Sequence, residues 1–313
     1  MPADELVGLL RAGDRRALAR AVTLVESTRS DHRQEAERLV EALLPHTGGA
    51  TRLGISGPPG AGKSTFIERF GLDGLARGRK IAVLALDPAA KRGGGAILGD
   101  KTRMTELSRA PGAFIRPSPA DAAMGGVARR TRETILLCEA TGFDTVIVET
   151  VGAGQSETSV AEMTDMFLLI LPPAAGDELQ GLKRGIIELV DHAHRAAADY
   201  ANALRLIRPS VPGWEPPVRT VSALVGTGVD AVWDDIARFR AVLEASGDWS
   251  RRRAEQARAA LWTEIGDGLQ TQFRVAPAVA ARIADVEREV MAGARTPADG
   301  ARNLLAAFTD GSG

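Results

Sequence analysis

The chain has 313 residues, 44% hydrophobic and 25% charged, with a net charge of −1, a balance suited to one main globular domain with appendages. That charge gives no electrostatic reason to expect nucleic acid or an anionic membrane as partner. The longest apolar stretch, "MFLLILPPAA", is too short to span a bilayer, the N-terminus has no signal-peptide core, and one cysteine excludes an internal disulfide, so a cytoplasmic protein is expected.

Residues 1–46 read as an N-terminal helical extension. "ADELVGLLRAG", "DRRALARAVTLVES" and "DHRQEAERLVEALLPHTG" have helical apolar spacing, with Asp14 as an N-cap. From residue 51 short apolar runs alternate with amphipathic ones: "RLGIS", "IAVLAL", "AFIR", "TVIVE", "FLLIL", "LRLI" (204–207) and "VRTVS" (218–222). This alternation predicts an α/β fold over 47–246, a mostly parallel sheet covered by helices on both faces. Cys138 lies on the apolar stripe of a helix in this region and reads as a small buried hydrophobe. After about 229 only helical patterns follow, and 247–313 reads as a C-terminal helical arm. Its apolar faces, Leu261, Trp262, Ile265 and Leu269, then Val286, Val290 and Met291, must be buried somewhere, and a second copy of the chain is expected to cover them.

"GPPGAGKS", residues 57–64, matches G-x-x-x-x-G-K-[ST] between a predicted strand and a predicted helix. Gly57, Pro58, Pro59, Gly60, Ala61 and Gly62 would form a loop whose backbone N–H groups cradle phosphates, continued by Lys63, Ser64 and Thr65. Lys63 is expected at the β- and γ-phosphates, and the Ser64 hydroxyl at Mg²⁺. Only five of the 39 basic residues are lysine, and a compact ammonium suits this loop better than a guanidinium.

Three acids stand where a Mg²⁺-nucleotide site would want them. Asp87 ends "IAVLALD", Asp100 lies in "GGGAILGDKTR", and Glu149 ends "TVIVE". Ligands of open α/β sheets gather at the carboxyl ends of strands, so these carboxylates could converge on one metal ion or its waters. Each could equally be a solvated loop acid if taken alone. In "TVGAGQSE", Gly152 and Gly154 would let amides approach a γ-phosphate. Gln155 could orient a hydrolytic water or serve only as a structural switch residue. The catalytic candidates are Lys63, Asp100, Glu149 and Gln155.

"GPPGAGKST", "LALDP", "GGAILGDKTRM", "FIRPSP", "GGVARRTRET", "VIVETVGAGQSE" and "PAAGDELQGLKRGIIE" together resemble the methylmalonyl-CoA mutase-associated GTPases of the MeaB/ArgK type. The resemblance runs from about residue 5 to 310 and is densest over 51–190. It implies a P-loop GTPase fold, GTP/GDP and Mg²⁺ as cofactors, and a homodimer. It also implies a role as chaperone to an adenosylcobalamin-dependent acyl-CoA mutase of the methylmalonyl-CoA mutase type, gating cofactor loading and protecting the enzyme. By matching motif, Lys63 and Ser64 are the P-loop pair, and Asp87, Asp100 and Glu149 accompany Ser64 as metal-site residues. Asp177, Glu178, Gln180 and Lys183 of "GDELQGLK" match a switch segment that contacts the mutase. Other classes remain open: a switch-bearing adaptor with weak or base-unselective hydrolysis, or a small-molecule kinase of the amino-acid transport type. No amino-acid site in the sequence supports the kinase.

One expected motif is missing. Such GTPases read guanine with N-K-x-D at the end of a strand. The chain has two asparagines, Asn202 and Asn303, and neither begins that motif. "IIELVD" runs directly into "HAHRAAADY", so roughly a dozen residues, one strand and its loop, are lost between Asp191 and His192. A loss from the gene, a segment left out of the sequence as written, or "LRLI" sliding into the vacant place would each account for it. Ser222, Ala223 and Leu224 resemble the second guanine-contacting loop and would offer backbone contacts to the base.

Overall fold

The structure is a computed structural model that describes residues 3–87, 104–119, 126–150, 155–172, 186–206 and 211–310. Three helices come first: α1 (Ala3–Arg11), α2 (Arg15–Glu26) and α3 (Ser30–Leu43). Asp14 caps α2, its carboxylate accepting from the N–H groups of Arg16 and Ala17 at 2.7 and 2.9 Å. Those two backbone donors hold the half-buried carboxyl below its usual range.

The central sheet contains β1 (Thr51–Ser56), β2 (Ile81–Asp87), β3 (Ala113–Pro119), β4 (Thr145–Glu149) and β5 (Met166–Leu169). Every pairing is parallel, in the spatial order β3-β2-β4-β1-β5. Helices α4 (Lys63–Ala76), α5 (Thr105–Arg109), α6 (Gly126–Ala140) and α7 (Gln155–Ala161) lie between the strands in sequence. Strand residues alternate between two cores. Ala82, Leu84, Leu86, Val146 and Val148 join α1–α3 and α6 on one face. Leu53, Ile55, Ile81, Val83 and Ile147 join α4, α5 and α9 (Val229–Ala245) on the other. Period-2 alternation in strands buried on both sides is what a doubly covered parallel sheet requires. On the second face the Trp233 ring stacks on Phe70 at 4.0 Å and its indole N–H donates to the Phe70 carbonyl. Cys138 is fully buried in the first core, as expected.

Two of the seven predicted strands are not strands. Helix α8 (Ile186–Arg205) runs through the start of "LRLI", with Leu206 in the turn that follows. "VRTVS" forms no ladder, and an isolated bridge from Ser222 to Thr227 is the sole pairing there. Arg219 turns instead to Asp235 of α9, with nitrogen–oxygen distances of 2.8 and 2.9 Å. Among the described residues the sheet therefore ends at β5, whose Leu169 is 59% exposed.

The chain divides into two compact units, one reaching Gln256 and the other holding Ala257–Gly313. Helix α10 (Asp248–Val275) belongs partly to each. The second unit adds α11 (Pro277–Ala280), α12 (Ile283–Met291) and α13 (Pro297–Asp310) around a small core of Val279, Val286 and Leu304. Val286 and Val290 pack within the unit itself, whereas Leu261, Trp262, Ile265, Leu269 and Met291 stay exposed. No helix among the described residues is long and apolar enough to cross a membrane.

Candidate functional site

The phosphate loop leaves β1 at Gly57 and enters α4 at Lys63. Gly57 is obligatory because β5 ends alongside it. A Cβ there would fall 2.0 Å from the Ile170 carbonyl oxygen, and the Ile170 N–H donates to the Ser56 carbonyl at 2.8 Å. Gly60 and Gly62 have φ of 82° and 85°, a left-handed conformation that side chains disfavour. The loop thus delivers the chain to the N-terminus of a 14-residue helix, whose first-turn N–H groups and dipole favour an anion. The Lys63 ammonium lies across the loop, donating to the carbonyls of Gly57 and Pro58 at 2.7 and 3.1 Å.

Next to Lys63, the Ser64 hydroxyl donates to Glu149 Oε1 at 3.1 Å. Glu149 ends β4, which neighbours β1, and is buried. Two of the predicted metal-site residues therefore meet across the mouth of the loop. Asp87 ends β2 on the other side of β4, in the same sheet edge, although its side chain lies outside the described residues. Asp100, Gly152, Gly154, Asp177, Glu178, Gln180 and Lys183 also lie outside them. Gln155 is described only as the first residue of α7. Among the described residues no three His, Cys, Asp or Glu side chains gather as a ready-made metal cage. A hydroxyl and a carboxylate beside a phosphate loop nevertheless form a hard oxygen pair that fits Mg²⁺, which draws its remaining ligands from water and substrate phosphates.

Ser222, Ala223 and Leu224 form a tight turn. The Ser222 N–H donates to the Thr227 carbonyl and the Gly226 N–H to the Ser222 carbonyl, at 2.9 and 2.8 Å. The turn rests on the flank of α4: a Cβ at Gly226 would meet the Arg69 guanidinium at 2.5 Å. Leu224 is exposed, and Ala223 packs on the second core.

One pair with a bearing on the site was not legible in the sequence. The buried Ser56 hydroxyl, one residue before the phosphate loop, donates to Glu157 Oε1 at 2.5 Å. Glu157 lies in the first turn of α7, just beyond "TVGAG", so it ties that helix to the root of the loop. The final residue of "GQSE" was its only signal.

The profile of a family described as methylmalonyl Co-A mutase-associated GTPase MeaB matches residues 18–278. A Caulobacter vibrioides protein named as a GTPase is 53% identical, with 97% of each chain covered. The mouse protein named methylmalonic aciduria type A homolog, mitochondrial, is 44% identical over 97% of this chain and 79% of its own length. The crystal structure of a LAO/AO transport system kinase superposes with a TM-score of 0.74 at 35% identity, covering 97% of this chain and 96% of that one.

Proposed function

The chain belongs to the methylmalonyl-CoA mutase-associated GTPases and is a GTP hydrolase, and from that premise we propose that it is the Mg²⁺-dependent chaperone of an adenosylcobalamin-dependent acyl-CoA mutase. The observation that carries the catalytic half is the meeting of Ser64 and Glu149 beside Lys63. Bound there, Mg²⁺ would neutralise charge on the β- and γ-phosphates. Ser64 and Glu149, with Asp87 and Asp100, are the residues that would hold it. Lys63 leaves the Gly57 and Pro58 carbonyls for the phosphates, a charge-assisted exchange that favours the bound state. The α4 amides orient the phosphate chain, and Gln155 positions the attacking water. Gly152 and the 177–183 segment, with Asp177, Glu178, Gln180 and Lys183, carry the nucleotide state to the mutase.

The mutase as partner rests on the family's description and on the mouse relative's name. The homodimer rests on the exposed stripe of Leu261, Trp262, Ile265 and Leu269, which nothing in the described chain covers. A cytoplasmic location agrees with the lone thiol and with the lack of a spanning helix among the described residues. Turnover of a partner mutase, followed with and without the chain and GTP, tests the reading. Turnover should persist longer when both are present, and identical decay in all four mixtures would refute the chaperone role. The name of the superposed kinase keeps a second reading in view, phosphoryl transfer to a small amine-bearing substrate. Phosphorylated amino acid among the products would favour it.

A further inference from the structure

We infer that this nucleotide site also takes ATP, turning over adenine and guanine nucleotides with little discrimination. The inference rests on the proposed Mg²⁺-nucleotide site and concerns only how the base is chosen. Guanine differs from adenine at one edge: it presents N1–H and N2–H₂ donors and an O6 acceptor, where adenine presents N1 as acceptor and N6–H₂ as donor. Strong selection needs a fixed acceptor, a carboxylate above all, facing the two guanine donors. A site built that way rejects an analogue lacking the donors by about four to five orders of magnitude, because the buried acceptor is left unpaired.

Among the described residues no element holds such a group. Beyond β5 the sheet would need one more strand, and the chain supplies a helix. Helix α8 runs unbroken for 20 residues, about 30 Å at 1.5 Å per residue, across the junction of Asp191 and His192. Both asparagines are helical: Asn202, followed by Ala203, lies in α8 and Asn303, followed by Leu304, in α13. No strand pairs with the outer side of β5 among the described residues, and Leu169 at its end is exposed. Among the described residues the start of β5 packs against the loop that carries Val211 and Trp214, where Met166 meets Phe239 and Leu243.

The residues proposed to hold the phosphates stand apart from this junction, because Gly57–Gly62 join β1 to α4, Lys63 and Ser64 open α4, and Glu149 ends β4. Among the described residues, the turn that the resemblance assigns to the base is Ser222–Leu224. Backbone N–H and C=O groups there can meet either purine, whose edges each carry both donors and acceptors. Affinity from the phosphates and Mg²⁺ therefore persists while discrimination falls away.

The test is displacement of a fluorescent GTP analogue from the full chain in Mg²⁺ by GTP, ATP and inosine triphosphate, paired with phosphate release from each. Inosine keeps N1–H and O6 but lacks the N2 amine, so it reports a carboxylate at that position. GTP and ATP should displace the probe at concentrations within about thirtyfold of one another, and inosine triphosphate within about threefold of GTP. A GTP preference over ATP beyond thirtyfold, or over inosine triphosphate beyond tenfold, would overturn the inference while leaving the Mg²⁺-nucleotide site standing. Failure of the chain to bind any of the three would overturn both. A variant with a strand ending in N-K-x-D inserted between Asp191 and His192 should regain guanine preference by about a hundredfold or more. If it folds and binds GTP but gains none, the base is chosen elsewhere and the inference fails. Should the variant not fold, the parent chain's competition still decides.

Discussion

Replacing Arg253 with methionine probes the buried ion cluster that ties the start of α10 to β1 and β5 within the first unit. Its guanidinium grips Asp165 with both arms, Nε to Oδ1 at 2.8 Å and Nη2 to Oδ2 at 2.7 Å, and Nη2 also donates to the Ala50 carbonyl at 2.7 Å. A third nitrogen reaches Glu139 at 3.4 Å, where Arg52 already pairs at 2.7 Å. Side chains of Asp165 and Glu139 are 5% and 1% exposed. Without Arg253, Glu139 keeps Arg52 and the Gly48 N–H, but among the described residues Asp165 keeps only the Arg52 N–H on Oδ2. The cost is thus one buried carboxylate stripped of its cation, about 3–5 kcal/mol. At about 2–4 °C per kcal/mol for a chain of this class, the melting midpoint should fall by about 6–20 °C. The cluster lies at the amino ends of β1 and β5, opposite the phosphate loop, so nucleotide affinity of the folded variant should stay within about twofold. Denaturant titration followed by circular dichroism measures the loss. Arg253→Met with Asp165→Asn should recover part of it, since the orphaned charge is gone. A loss under about 1 kcal/mol, or a double variant no more stable than the single, would refute this reasoning.

Lys63→Ala should abolish Mg²⁺-nucleotide binding with the fold intact, and unchanged affinity by calorimetry would remove the phosphate-loop reading. Glu157→Ala should lower the hydrolysis rate about tenfold or more with affinity changed less than threefold. Glu157→Gln, which can still accept from Ser56, should restore most of the rate, and equal loss in both variants would deny the link to the loop root. The Cys138 thiol is pushed up by burial and then by the neighbouring Glu139 charge. Buried and with its thiolate disfavoured, Cys138 should react with maleimide only on unfolding, and fast labelling of native protein would contradict the core packing. Trp262→Glu should convert a dimer to monomer by light scattering, and a monomeric parent chain would contradict the dimer.

What could be read in advance followed from short-range physics. The apolar runs of β1, β2 and β4, such as "IAVLAL" and "TVIVE", could bury both faces only in a covered parallel sheet. The phosphate loop declared itself through contiguous residues. "LRLI" misled because four apolar residues fit either element, and the alanine-rich "AAADYANA" before it carries the helix onward to Arg205. "VRTVS" misled because its alternation suits a strand, while Arg219 is claimed by Asp235 sixteen residues on. Hidden altogether were contacts that only the fold creates. Ser56 meets Glu157 across 101 residues, and Arg253 meets Asp165 and Glu139 across 88 and 114. No local pattern marks such pairs before the parallel sheet brings their elements together.

The central claim is that GTP hydrolysis by this chain is coupled to a cobalamin-dependent mutase. Phosphate release from Mg²⁺-GTP by the full chain, with and without a saturating adenosylcobalamin-dependent acyl-CoA mutase, tests it most directly. The account predicts faster phosphate release when the mutase is present. The same rate in both mixtures, with the mutase active and the chain binding GTP, would contradict it.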